Sequence, residues 1–407
     1  MKVIQINGVD GILSTGVTTT QLSKYLTSKG INNIRVCRKD HCTKESVTIG
    51  NIIGYRIHAL LSRLTGLQGF FSLFSTLKLL FLMSRYQPDI VHLRNLHENF
   101  INIPLLLWYL GKKDIATVIT LHDCFFFTGG CTYYTVNDCD MWATNRCRHC
   151  NYKKTIGSYW FGCNTSLGYD IKYYLFHKIN KLGVIGVSNW VANEAKKSPI
   201  FHNATVIKPI YNWIDLELFK EQPLYKTEAL KKEFGITGKF VILGVCSQWA
   251  KNKGLYDHLK IAQKLGNDSV IILIGNMPSD VNLPDNIISI PRTYKIEDLI
   301  KFYSMADVFV HLSVEETFGK VTAEALSCGT PVIVYNATAS PELVANGCGY
   351  VISTIGDISA VVEAINTIKN HGKAFYSKTC RNKAITSFND KTNCEEYIRL
   401  YNTLLNN

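Results

Sequence analysis

Short apolar runs of strand length alternate along this chain with longer stretches that carry helix signals. The first run spans residues 2–7, and Gly8, Gly11 and Gly16 loosen the segment behind it. Residues 18–28 then read as a helix stopped by Gly30. Further strand-length runs cover residues 88–92, 114–121, 183–187, 205–212, 240–245, 271–275 and 308–312, with another directly after Pro331. Helical patterns occupy residues 222–234, 299–306, 357–370 and 380–407, and Ser188 stands as the N-cap of one more. Residues 59–83 are rich in Leu and Phe but broken by Gln68, Ser72, Ser75, Thr76 and Lys78. That stretch falls short of a membrane span. It reads as a core helix first, and second as an interfacial helix with Arg63, Lys78 and Arg85 near acidic headgroups. Repeated strand–helix alternation without low complexity predicts an α/β protein of two doubly wound, Rossmann-like domains.

A length of 407 residues agrees with two cores, and 46% hydrophobic residues suffice to fill them. The formal charge of +12 points to an anionic partner. The basic residues are scattered, with no tract interleaved with aromatics, which argues against nucleic acid. The first sixteen residues, MKVIQINGVDGILSTG, contain no apolar signal core, so the thirteen cysteines are expected as free or metal-bound thiols in a reducing cytoplasm.

Candidate chemistry concentrates at SVEETFGKVTAEALSCGTPVIV, residues 313–334. A strand end, a turn at Gly319 and a helix start follow one another, and the helix is stopped by Gly329 and Pro331. Such a helix start suits a phosphate or diphosphate over Phe318, Gly319, Lys320 and Val321. Glu316 lies in the loop above it and Glu324 in the early helix, eight residues on. Upstream, residues 247–254 form a basic loop with Lys251 and Lys253, phosphate-facing by position and charge. Arg292, Thr293 and Tyr294 stand where a base would be met. His122 and Asp123 end a strand, and Asn95 and His97 lie in the polar cluster behind another. Cys131, Cys139, Cys147 and Cys150 are spaced C-x7-C-x7-C-x2-C, which suits one structural zinc.

These motifs, in this order, resemble the retaining glycosyltransferases of family four, built on the GT-B fold. The Glu-x7-Glu frame with EALSCGTPVIV carries the likeness most strongly, and HDCFFFTGGC with the cysteines after it is similar to members of polysaccharide-assembly pathways, colanic acid among them. NWID at 212–215 resembles the family's NGxD, with Trp213 replacing glycine. The resemblance implies two domains facing across a cleft. Residues 1–210 would bind the acceptor and carry a Cys-rich insert at 124–163. Residues 211–385 would hold a nucleotide-diphosphate sugar, and 386–407 would form a helix crossing back to the first domain. It further implies that Glu316 and His122 orient the donor sugar, Glu324 the ribose, and Lys253 with the 318–321 backbone the diphosphate. Lys251 stands in for an absent arginine. Gly16 and Tyr294 complete the donor contacts, and Asn95 with His97 faces the acceptor. No cofactor is expected for catalysis. The acceptor would be a glycan or a polyprenyl-diphosphate-linked sugar, worked on in the cytoplasm or peripherally at the inner membrane face. A GT-B sugar-nucleotide epimerase and a non-catalytic binding protein are the rival readings.

Overall fold

The computed structural model describes every residue except 39–40, 149, 151–159, 161–163, 294 and 407. Two compact units emerge, one from 1–211 together with 391–407, the other from 212–390. The first contains β1 (Lys2–Ile6), α1 (Leu13–Ser28), β2 (Asn32–Arg38), β3 (Val47–Ile49), α2 (Ile52–Thr65), α3 (Leu73–Tyr86), β4 (Ile90–Leu93) and α4 (Ile103–Lys112). It continues with β5 (Ala116–Leu121), the single turn α5 (Met141–Thr144), α6 (Thr165–Phe176), β6 (Leu182–Gly186), α7 (Asn189–Lys197) and β7 (Val206–Pro209). The second runs through α8 (Leu224–Glu233), β8 (Phe240–Gln248), α9 (Leu255–Lys264), β9 (Ser269–Asn276), β10 (Ile287–Ile290), α10 (Ile296–Met305) and β11 (Val308–His311). Its remainder is α11 (Lys320–Ser327), β12 (Val332–Tyr335), β13 (Gly349–Ile352), α12 (Ile358–His371) and α13 (Lys373–Ser387). The last helix, α14 (Asp390–Asn406), returns the chain to the first unit.

Each unit is built on one parallel sheet. The first orders its strands β3-β2-β1-β4-β5-β6-β7, the second β10-β9-β8-β11-β12-β13. Parallel strands covered by helices on both faces are buried throughout, which is why every residue of β4, β5, β11 and β12 is buried and most are apolar. Strand order reverses between β1 and β4 and again between β8 and β11. At such switch points the loops at the carboxyl ends part, and ligands bind there. Trp213 is buried, and the next residue, Ile214, donates its amide to Phe388 O at 3.0 Å, so this substitution for glycine fills core rather than a turn.

Three expectations need correction. Gly16 lies inside α1, which begins five residues earlier than residue 18, and not in a loop. A Cβ there would stand 3.2 Å from Gly11 N and Val9 Cγ2, so this glycine lets α1 close on the chain's own 9–11 segment. Residues 59–83 are not one core helix. They divide into α2 and α3, and both turn aliphatic and aromatic side chains to solvent. Cys37 and Cys42, expected as free or metal-bound thiols, are joined in a disulfide.

Candidate functional site

In the second unit a polar cluster forms at the switch point. Gly254 makes it possible. Its φ of 74° is left-handed, and a Cβ would meet Leu312 Cβ at 2.5 Å and Leu312 O at 2.6 Å. With that clearance the loop after β8 lies directly against the end of β11, pinned by Val314 N donating to Asn252 O at 3.0 Å. Lys253 then reaches Glu316 Oε1 at 2.6 Å and also donates to Ser313 Oγ at 3.2 Å. His311 Nε2 approaches the same Oε1 at 3.2 Å. The Glu316 backbone is fixed too, its N–H donating to Thr338 Oγ1 at 2.8 Å. Gly254→Ala is expected to cost roughly 1–3 kcal/mol of stability through backbone strain and displacement of this loop. Thermal melting measures it, and an unchanged melting temperature would contradict the packing argument.

The two carboxylates of the motif are driven apart in acidity. Burial alone would raise Glu316, but the hydrogen bond from His311 and the charge of Lys253 outweigh it and bring it down to about 2. Burial raises Glu324, and Lys320 and the Tyr303 hydroxyl, which donates at 2.9 Å, do not reverse this. Glu316 is therefore a fixed anion, paired with Lys253. Between Glu316 and Glu324, α11 begins behind its N-cap Gly319, which has a φ of 85° and supplies no side-chain cap. An uncapped start directs first-turn amides and the positive end of the helix outward. Phe318 contributes backbone only, since its ring is buried edge-on against Phe388 with centroids 5.4 Å apart. Lys251 is exposed and, unlike Lys253, is not brought to Glu316. Tyr294 lies outside the described residues.

His311 was absent from the sequence reading. It stood in an apolar run, although a histidine closing a strand carries the same signal that singled out His122.

In the first unit the loops after β1, β4 and β5 converge. Asn95 accepts from Gly8 N through its carbonyl at 3.0 Å and donates its amide to Asn7 Oδ1 at 3.2 Å. His97 Nε2 lies 2.7 Å from Asp123 Oδ2. Burial depresses His97, but the Asp123 charge and hydrogen bond raise it overall. Asp123 is lowered despite burial, by the same partner. His122 behaves in the opposite way. Burial first, then the Arg94 charge, lowers it to about 3, so it is neutral. Arg94 Nη1 lies 3.3 Å from His122 Nε2, and a guanidinium can only donate, so Nε2 accepts and the proton sits on Nδ1. Asp10, also missed in the sequence, is held in the loop after β1 by Arg35 Nε at 2.9 Å.

The cysteine expectation fares differently. Cys131, Cys139, Cys147 and Cys150 do line one small pocket with Tyr134 and Trp142. Burial, with the neighbouring sulfurs, pushes the Cys131 thiol up to about 12, and Cys147 Sγ accepts from Gly129 N at 3.1 Å. Yet among the described residues no three His, Cys, Asp or Glu side chains are arranged to hold a metal ion.

Two family models match this chain, Glycosyltransferase Family 4 over residues 15–218 and Glycosyl transferases group 1 over residues 226–384. Among curated relatives, the N-acetyl-alpha-D-glucosaminyl L-malate synthase of Bacillus anthracis is 27% identical over 176 residues, 40% of this chain and 45% of that protein. The UDP-Gal:alpha-D-GlcNAc-diphosphoundecaprenol alpha-1,3-galactosyltransferase of Escherichia coli is 29% identical over 199 residues, 45% of this chain and 50% of that protein. The chain thus spans about half the length of the curated relatives it matches. Among solved structures, HepE of Anabaena in complex with UDP and glucose superposes with a TM-score of 0.65 at 16% identity, covering 99% of this chain and 100% of that one. That likeness is one of fold, and it covers both parallel-sheet units. The chain belongs to glycosyltransferase family 4 and has its GT-B fold.

Proposed function

We propose that this protein is a retaining glycosyltransferase that moves a sugar from a nucleotide-diphosphate donor to a glycan or lipid-linked acceptor in cell-surface polysaccharide assembly. The Lys253–Glu316–His311 cluster beside the uncapped start of α11 carries this reading. As the sugar–phosphate bond breaks, negative charge grows on the diphosphate. A fixed lysine and preorganised amides stabilise that charge without reorganising. Glu316 accepts from sugar hydroxyls and Glu324 from the ribose. The departing phosphate takes the acceptor's proton in a front-face transfer, so no separate general base is assigned. The Escherichia coli relative's name supports a diphosphate-lipid acceptor, and the UDP held by HepE supports a uridine donor.

The test is a panel of UDP, GDP, ADP and dTDP sugars, read by thermal shift and by slow donor hydrolysis. One nucleotide sugar should stabilise the protein and release nucleoside diphosphate, and product NMR with an acceptor should show the donor's anomeric configuration kept. Glu324→Ala should weaken that donor's binding by about 1.5–3 kcal/mol, the worth of a hydrogen bond to a charged group. If no nucleotide sugar shifts the melt, the reading is wrong.

A further inference from the structure

We infer that α2 and α3 form a docking face for an anionic lipid bilayer. The two helices expose a run of large apolar side chains, Ile53 at 66%, Ile57 at 52%, Phe74 at 86% and Phe81 at 61%, joined by Leu60 and Leu77. Along each helix they recur at three- and four-residue intervals, so they share one stripe. A soluble helix normally turns such a stripe inward. Here α2 does the reverse and buries His58 and Ser62.

The inversion is locked by hydrogen bonds. Gly69 N donates to His58 Nε2 at 3.2 Å, which leaves the proton on Nδ1, 2.6 Å from Ser72 Oγ. Ser72 in turn donates to Asn99 O at 3.2 Å. Burial lowers His58 to about 4, so the ring is neutral in this chain of bonds. Rotating α2 to hide Ile53 and Ile57 would break all of it. The outward stripe is thus specified by the buried side of the helix.

Charge selects the occupant. Between Glu45 and Asp89 there is no acidic residue, while Arg56, Arg63, Lys78 and Arg85 are spread across the two helices. Arg85 lies over the Phe81 ring at 4.9 Å, a cation beside an exposed aromatic. Trp160, itself exposed, donates its amide to Arg63 O at 2.8 Å and so stands at the end of α2. On α4, which packs beside α3, exposed Trp108 carries Lys112 over its ring at 4.8 Å. Apolar side chains flanked by cations and amphipathic rings match the boundary between acyl chains and acidic headgroups. A surface made to bind a second copy of itself would not hold only one sign of charge, since like would face like. No helix among the described residues is long and apolar enough to cross a membrane, so this contact lies on the surface.

Flotation of the full chain tests this, with vesicles of phosphatidylcholine alone or with part of it replaced by phosphatidylglycerol. The protein is expected to float with the phosphatidylglycerol vesicles at low salt, to be released at high salt, and to stay down with phosphatidylcholine alone. The combined variant Ile57→Ser, Phe74→Ser, Phe81→Ser should bind on the order of tenfold less or weaker, from lost apolar burial. Its melting temperature should hold, because all three side chains are outside the core. Wild-type protein that remains down at low salt overturns the proposal, as does a triple variant that floats equally well. A dimer in sedimentation that the triple variant abolishes, without flotation of either, reassigns the face to self-association. Nucleotide-sugar binding is read separately in the second unit, so either proposal can fail without the other.

Discussion

Glu316→Gln is expected to lower kcat/KM for sugar transfer by about 10²-fold, close to 3 kcal/mol of lost transition-state stabilisation. Glutamine preserves shape and removes only the charge. Lys253 and His311 both converge on Oε1, so the change strips a lysine of its counter-charge at 2.6 Å and leaves the histidine a neutral acceptor in place of a charged one at 3.2 Å. The lysine is then held only by Ser313 Oγ at 3.2 Å and Glu315 O at 3.4 Å, and less firmly where the proposed diphosphate would lie. Lys253→Met should act through the same pair, and the double variant should cost less than the two single effects summed, since the residues work as a unit. Steady-state kinetics with the donor found in the panel decides this. Activity within twofold of wild type for Glu316→Gln would remove the donor site from this cluster.

The second large effect is acid lability. His58 and His122 are lowered to about 4 and about 3 by burial, Arg94 adding to the effect at His122. A histidine with a depressed folded value binds its proton more readily when unfolded. Its contribution to stability is therefore complete above the unfolded value near 6.5 and is lost as pH falls toward the folded one. Glu316, down to about 2 because His311 and Lys253 outweigh burial, adds a second loss between its unfolded value near 4.5 and that figure. Glu324, raised by burial, works against the trend, because its proton is bound more tightly in the fold. Together the histidines should remove on the order of several kcal/mol between pH 6.5 and 4. Denaturant melts across that range measure it. His122→Gln should flatten the slope in the first unit's transition, and an unchanged slope would show that the ring is solvated.

Much of this was legible in the sequence for one physical reason. Strands buried on both faces are written as continuous apolar runs, and the residues that end them fall at the sheet's carboxyl edge. His122 and Asp123 follow β5 in that way, and Lys253 and Glu316 lie in the loops after β8 and β11, whereas Glu324 follows from the helix signals of α11. What failed to show was pairing between distant loops. Asp10 drew no notice because its partner Arg35 sits in β2, a strand whose sequence NNIRVCR hides its period behind polar residues. His311 was masked by the strand around it. Lys251 and Lys253 are equivalent in composition, and only the turn ending at Gly254 decides which one meets Glu316. The same limit applies to α2, where local hydrophobicity gave no sign that His58 would be the buried side. That choice depends on Gly69 and Ser72 beyond the helix end.

The return of α14 to the first unit has a consequence for how the chain comes to be folded on the ribosome. Tyr401 OH lies 2.7 Å from His92 Nδ1 and Tyr397 OH 2.9 Å from Thr120 Oγ1, while Leu400 and Leu404 lie on Gly183. These contacts close the back of β4, β5 and β6. When residue 211 has been translated, that surface is complete in every respect but its cover. The covering helix emerges only after roughly 180 more residues, which at typical synthesis rates is about 10–40 s. The nascent protein must therefore hold an unclosed apolar sheet through the whole synthesis of its second unit, a period in which chaperone capture competes with aggregation.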